Sequence, residues 1–336
     1  MILLRKILFP FAVLYGWVTQ FRNYLYDIGF FKSYSFNLPI IAVGNLSVGG
    51  TGKTPQIEYL IRLLSENYKI ATLSRGYKRK SKGFVLADET STAAILGDEP
   101  YQFYSKFPKI QVAVDADRKN GIEQLLSLPD KPNIILLDDA FQHRKVKAGF
   151  YILLTAYDDL FCNDYILPSG NLRESRAGAK RADCIIVTKC PNAISEFEQN
   201  EIRKKLGSNK PIFFSCVEYD DCIYSSNESK KVNEIKDINK LLIAGIAKPK
   251  SFFDFLKNNN DTSLTFPDHH HFTVSDILTI KSKAIDSLIV TTEKDYVRLK
   301  NSIPNNQLFY LPIKTSFISD RISFDSIISD YLKIKI

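Results

Sequence analysis

Residues 40–54 read IIAVGNLSVGGTGKT: an apolar run, Ile40 to Val43, leads into Ser47-Val48-Gly49-Gly50-Thr51-Gly52-Lys53-Thr54, and a helix-forming stretch from Gln56 to Ser65 follows. A buried strand, a glycine-rich turn and a helix start are what a phosphate-binding loop requires. The glycines let backbone N–H groups turn inward on the phosphates, and the helix N-terminus adds a dipole favourable to anions. Lys53 is expected to reach the β and γ phosphates and the Thr54 hydroxyl to ligate Mg²⁺. The usual pattern opens with glycine six positions before the lysine, and here that place holds Ser47. The loop implies a nucleoside triphosphate, with ATP and Mg²⁺ as the expected cofactors. It does not name the reaction.

Working outward, short apolar runs alternate with stretches long enough for a helix. Candidate strands are 39–43, 70–73, 110–114, 134–137 and 151–154, then 184–188, 212–215, 241–244, 288–292 and 308–311. Strands alternating with helices imply an α/β fold with mainly parallel sheets covered on both faces. Ten strands in one open sheet would be many, so two α/β domains are expected. The organisation read from this is an N-terminal helical region over 1–35, a P-loop NTPase-like domain over 36–155 and a second α/β domain over 156–336, with room for the last helix to pack back on the first domain. The Asn, Ser and Lys-rich stretch at 224–240 reads as a surface excursion.

The chain carries 45 basic and 37 acidic residues, a net charge of +8, which favours anionic partners. Its five cysteines, Cys162, Cys184, Cys190, Cys216 and Cys222, include no CxxC pair. They point to buried, reduced thiols rather than a disulfide framework or a zinc ribbon. Residues 7–21, ILFPFAVLYGWVTQF, carry no charge but are short for a spanning helix. Arg5, Lys6 and Arg22 flank them, and Tyr24, Tyr26, Phe30, Phe31 and Tyr34 follow. Aromatics beside basic residues suit a helix lying in the interfacial layer of an anionic membrane.

Ile134 to Leu137 end in Asp138-Asp139, the arrangement by which a buried strand delivers a carboxylate to Mg²⁺ beside a phosphate loop. Gly97-Asp98-Glu99-Pro100 supplies Asp98 as a candidate base for an acceptor hydroxyl; the same pattern suits a helix start. The histidines are His143 and the run His269-His270-His271. Consecutive histidines do not all face one ion, so one of them is expected to orient a proton-transfer partner. Basic residues cluster at 75–82, with Arg75 first, at 115–119, around Arg118, and at 171–181, around Arg173. They sit in separate short loops, which fits a phosphorylated substrate better than nucleic acid. A soluble-substrate phosphotransferase, a nucleotide-switched binding module and a nucleic-acid-dependent ATPase are the competing readings.

Eight segments, VGNLSVGGTGKTP (43–55), LSRGYKR (73–79), GDEP (97–100), DADR (115–118), ILLDDAFQH (135–143), LPSGNLRE (167–174), FPDHHHFT (266–273) and TTEKDYVRL (291–299), together resemble the tetraacyldisaccharide 4′-kinase family, the lipid A 4′-kinases. Ser47 agrees with that family, whose loop has Ser or Thr there. The resemblance implies two α/β/α domains with the active site in the cleft between them. It implies ATP- and Mg²⁺-dependent phosphorylation of the 4′-hydroxyl of a tetraacylated glucosamine disaccharide 1-phosphate, giving lipid IVA. It further implies residence at the cytoplasmic face of a bacterial inner membrane, peripheral or shallowly inserted through the N-terminus, with no nucleic acid and no obligate protein partner. By the same resemblance Asp98 is the catalytic base and His269 pairs with it. Asp138 and Asp139, with Glu99, are metal-side carboxylates. Asn171, Arg173 and Glu174 belong to the substrate site, with Arg75 and Arg118 as further substrate-side cations. Glu293-Lys294-Asp295 receives no role beyond holding a turn.

Overall fold

The computed structural model describes residues 5, 7–268, 270–285 and 287–335. Two units divide the chain, one formed by residues 1–217 and 315–336 and the other by residues 218–314.

The first unit carries β1 (Ile40–Asn45), β2 (Ile70–Ser74), β3 (Val85–Leu86), β4 (Gln111–Val114), β5 (Ile134–Asp138), β6 (Phe150–Ala156), β7 (Cys184–Thr188) and β8 (Ile212–Tyr219). The second carries β9 (Cys222–Tyr224), β10 (Ser229–Lys231), β11 (Lys240–Ala244), β12 (Thr262–Thr265), β13 (Leu288–Thr292) and β14 (Leu308–Leu311), and β15 (Ile313–Phe317) leads the chain back. All ten predicted strands are present. The first sheet runs β15-β8-β7-β6-β1-β5-β2-β4-β3, with β8 through β4 parallel and β3 antiparallel at the edge.

The apolar runs are continuous because both faces of this sheet are covered. Along β1, Ile41 and Val43 face one side, where Ile57, Leu60 and Ile61 of the helix Lys53–Leu64 pack with Phe103 and with Phe324 and Ile328 of the helix Arg321–Lys335. Ile40 and Ala42 face the other side, against Ile122 and Leu125 of the helix Arg118–Ser127. Each such Ile, Leu or Phe contributes about 1.5–3 kcal/mol on burial. The C-terminal helix is fastened to β1 directly: the Tyr331 hydroxyl accepts from Ile40 N at 3.1 Å and stands 3.2 Å from Ile40 O.

The domain boundary expected at 155/156 falls inside β6, a strand paired with β7 in one sheet. β6 pairs with β7 from Ile152–Cys184 to Ala156–Thr188. The chain leaves the first unit after Val217 and returns at Thr315. An apolar run shows that a strand is buried on both faces but not which sheet it joins, so the reading placed the cut too early.

The second unit is a six-stranded sheet ordered β10-β9-β14-β13-β11-β12, its last four strands parallel. Leu242 and Val290 face one core with Phe252, and Leu241 and Ile289 face another with Ile280 and Leu299. The stretch 224–240 is partly built into this unit rather than looped away from it. β10 pairs with β9, and Val232 and Ile235 are buried in the core. Its exposed lysines and serines hid two anchoring side chains. In the TTEKD segment, Thr292 caps the helix Glu293–Leu299, and the buried Asp295 carboxylate accepts from Gly245 N at 2.7 Å and Thr292 Oγ1 at 2.7 Å.

The helix Phe9–Asp27 belongs to the first unit. Ala12 and Gly16 are buried, whereas Phe9, Phe11, Leu14, Trp17, Val18 and Phe21 are all more than half exposed. Among the described residues no helix is long and apolar enough to cross a membrane. All five cysteines are free, three of them buried.

Candidate active site

A parallel sheet converges its loops at the C-terminal ends of its strands; here β1 ends beside β5, and β7 ends one strand further on, beyond β6. β1 opens into the phosphate loop. Gly52 caps the helix Lys53–Leu64 in a left-handed conformation with no side-chain cap, and the first turn holds no acidic residue. The helix N-terminus is therefore left to an anion. Ser47 sits in an isolated antiparallel bridge with Leu172, next to a bond from Val48 N to Asn171 O at 2.8 Å and one from Arg173 N to Leu46 O at 2.7 Å. An extended residue at this entrance needs no glycine, which explains Ser47. The same ladder brings Asn171 and Arg173 to the loop.

Asp139, just past β5, takes two bonds from the Arg173 guanidinium, at 3.1 and 2.8 Å, and lies 3.7 Å from Lys53 Nζ. Burial alone would raise its pKa, but the Lys53 and Arg173 cations hold it below the ordinary value. Asp138 behaves oppositely. Burial, reinforced by the adjacent Asp139 charge, pushes it up to about 6. Its Oδ2 accepts from Ser74 Oγ at 3.3 Å, while its buried Oδ1 has no partner among the described residues. An orphaned carboxylate oxygen within electrostatic reach of Lys53 at the end of the loop fits a hard divalent cation such as Mg²⁺. Among the described residues there is no cluster of three or more His, Cys, Asp or Glu side chains able to hold a metal by themselves. A Mg²⁺ bound largely by phosphates and water needs no such cluster.

Asp98 and Glu99 open the helix Asp98–Lys106. Gly97, at φ 94°, caps it, and a Cβ there would stand 3.1 Å from Tyr77 O. This close approach packs the Asp98 turn against the loop that begins at Arg75. Arg75 is exposed, and Glu99 lies near enough to Asp138 to help raise its pKa.

Two residues expected at the substrate are committed to the protein itself. Arg118 is 2% exposed and donates to Asp115 O at 2.7 Å and Asp138 O at 3.1 Å; burial brings its pKa down to about 10. Glu174, 3% exposed, accepts from Asn23 Nδ2 (2.8 Å), Gln142 Nε2 (3.0 Å) and Arg181 Nη2 (2.7 Å). Both are braces, one behind Asp138 and the other between the N-terminal helix and the site. Asn171 is partly exposed, and its Oδ1 accepts from Arg5 Nη2 at 3.2 Å. His143 is half-buried, with its pKa lowered to about 4 by burial and by Arg118. His269 lies outside the described residues.

Four neighbours of the loop went unread in the sequence. Asn45 Nδ2 donates to Ser47 O at 2.7 Å, and Gln142 Nε2 donates to Asn45 O at 2.8 Å. Thr188 Oγ1 donates to Thr51 O at 2.8 Å, and Lys189 Nζ donates to Gly50 O at 2.6 Å. The signal for this pair was their place directly after the apolar run of β7, which in a parallel sheet ends level with β1.

An anion-ready loop, an orphaned buried carboxylate and a carboxylate-led helix at the strand ends of a parallel α/β sheet define a P-loop phosphotransferase. The profile described as tetraacyldisaccharide-1-P 4′-kinase (LpxK) matches residues 4–333, and the chain belongs to that family of kinases. It is 64% identical to a tetraacyldisaccharide 4′-kinase of Flavobacterium psychrophilum over 98% of this chain and 97% of that one. With a tetraacyldisaccharide 4′-kinase of Flavobacterium johnsoniae the identity is 65%, over 98% of each. The crystal structure of LpxK from Aquifex aeolicus in complex with ATP matches the fold with a TM-score of 0.80 at 32% identity, covering 98% of this chain and 99% of that one.

Proposed function

We propose that this chain transfers the γ-phosphoryl group of ATP to the 4′-hydroxyl of tetraacyldisaccharide 1-phosphate, giving lipid IVA, at the cytoplasmic face of a bacterial inner membrane. Besides family membership, one observation carries the reading: the apolar N-terminal helix is bonded to the loop that borders the phosphate site. Arg5 donates to Asn171, and the Tyr15 hydroxyl donates to Arg173 O at 3.1 Å. A lipid met by this helix is thereby delivered beside Lys53. Trp17, 69% exposed, and its aromatic neighbours suit the interfacial layer of an anionic bilayer, and the +8 charge favours it. Between the helix and residues 164–176 a cavity of about 410 Å³, lined by Phe9, Ala12, Gly16, Trp17 and Ile166, suits an acyl chain.

In this mechanism Lys53 and the loop N–H groups hold the triphosphate. Arg173, Asn171 and Arg75 orient the acceptor. Asp98 takes the proton of the 4′-hydroxyl. Thr54 and Asp138 would hold Mg²⁺, and Glu99 would act on it through water; Asp139 instead keeps Lys53 and Arg173 in place. When bound, Mg²⁺ supplies neutralisation of the charge spread over the β and γ phosphates. Most of the acceleration is positioning and electrostatics, with the base adding on the order of 10² to 10⁴. Nothing in the scheme calls for nucleic acid or a second protein. The test is label transfer from ATP to the lipid in detergent by the wild type, Lys53→Ala and Asp98→Ala. Labelled lipid that collapses in both variants is expected; ATP hydrolysis without labelled lipid would overturn the assignment.

A further inference from the structure

Asn45, the last residue of β1, is 0% exposed and carries no role in the scheme above. Both ends of its amide are nevertheless bonded. Nδ2 donates to Ser47 O at 2.7 Å, fixing the start of the phosphate loop. Oδ1 accepts from two cations at once, Lys53 Nζ at 3.3 Å and Arg173 Nη2. Two like charges meeting at one neutral oxygen repel each other; Asp139, bonded to Arg173 and 3.7 Å from Lys53, offsets that repulsion. The backbone of Asn45 is held as well, because Gln142 Nε2 donates to its carbonyl at 2.8 Å. The same Nε2 donates to Glu174 Oε1, and the other Glu174 oxygen accepts from Asn23 on the N-terminal helix. Arg22 of that helix also donates to Gln142 O at 3.1 Å.

We propose that Asn45 is a positioning residue of the transfer reaction, holding Lys53 and Arg173 at a fixed spacing, and that Gln142 and Glu174 tie this oxygen to the N-terminal helix. A neutral amide suits the task. It bonds both cations without adding a second negative charge to that of Asp139, so no more of their charge is withdrawn from the phosphates. A carboxylate at this position would compete with the nucleotide for Lys53. The proposal rests on the reading that Lys53 serves the transferred phosphoryl group.

The experiment uses the full chain with ATP and tetraacyldisaccharide 1-phosphate in detergent. Asn45→Ala is expected to lower kcat about tenfold with little change in KM for the lipid. Asn45→Asp is expected to raise KM for ATP as well. Gln142→Met, which keeps volume but removes the donor, is expected to lower kcat about threefold to tenfold while unfolding as the wild type does. In a Lys53→Ala background, Asn45→Ala is expected to add less than about a twofold further loss, because residues acting through one group are non-additive. Additive losses there, or wild-type kcat in both Asn45→Ala and Gln142→Met, would overturn the proposal. If Asn45→Ala fails to fold, by far-UV circular dichroism, Gln142→Met alone decides it. Should Lys53→Ala itself retain full activity, the proposed function is at fault, and the positioning role falls with it.

Discussion

Replacing Asp138 by Asn should make the protein more stable and abolish its activity. Asp138 is buried, and its pKa is pushed from 3.8 up to about 6 by burial and by Asp139. The rise from 3.8 to about 6, at about 1.4 kcal/mol per tenfold change in proton affinity, puts the cost of keeping the ionised carboxylate in the folded chain at about 3 kcal/mol. The folded-state pKa lies above the unfolded one, so the ionised form is penalised on folding. That penalty is full above about pH 6 and fades as pH falls towards 3.8. The amide of Asp138→Asn carries no charge and keeps an acceptor for Ser74. Without nucleotide and Mg²⁺ at pH 7.5, the variant should therefore gain up to about 3 kcal/mol, read as a later calorimetric transition of the first unit. The gap should close near pH 4. With ATP and Mg²⁺ at about 1,000 times their Kd the order should reverse, since such a ligand adds about 4.1 kcal/mol to the wild type, more than the variant gains, and the variant has lost its metal-binding oxygen. A variant less stable at pH 7.5, or a gap indifferent to pH, would refute the reasoning.

Trp17→Glu together with Phe21→Glu should weaken partition onto anionic vesicles by at least tenfold in a flotation assay, since each buried aromatic contributes about 1.5–3 kcal/mol, and should leave ATP binding unchanged. Glu174→Ala removes the acceptor shared by Asn23, Gln142 and Arg181 and leaves the Arg181 cation without its carboxylate, so unfolding should become easier by about 3–5 kcal/mol; an unaltered denaturation curve with a raised lipid KM would return Glu174 to the substrate. Gly97→Ala, at φ 94° with Tyr77 O 3.1 Å from the new Cβ, should cost about 1–3 kcal/mol and shift the Asp98 turn. Its kcat should drop while its affinity for a fluorescent ATP analogue holds.

The strands and the phosphate loop were legible because burial on both sheet faces leaves unbroken apolar runs, and because few structures other than a phosphate site need the glycines and lysine of 49–54. The division of the chain was not. β6 and β7 read alike whether they share a sheet or not, and only their pairing moves the cut from 155 to 217. Charge misled in a similar way. Arg118 and Arg173 look equivalent in a list of basic residues, yet one is sealed under Asp138 and the other grips Asp139 beside Lys53. Asn45 and Gln142 gave no signal, since an amide acquires meaning only from what surrounds it. The N-terminal aromatics were readable as a surface, but the bonds from Arg5 and Tyr15 that join that surface to the phosphate site were not.

The most direct test of the account is the position of the new phosphate on the lipid. Wild-type chain, ATP, Mg²⁺ and tetraacyldisaccharide 1-phosphate would be incubated to completion and the product examined by phosphorus–proton correlation NMR. The account predicts a second phosphomonoester coupled to the proton on carbon 4′, absent when Asp98→Ala replaces the wild type. Phosphate on any other oxygen, or unchanged lipid beside ADP and inorganic phosphate, would contradict it.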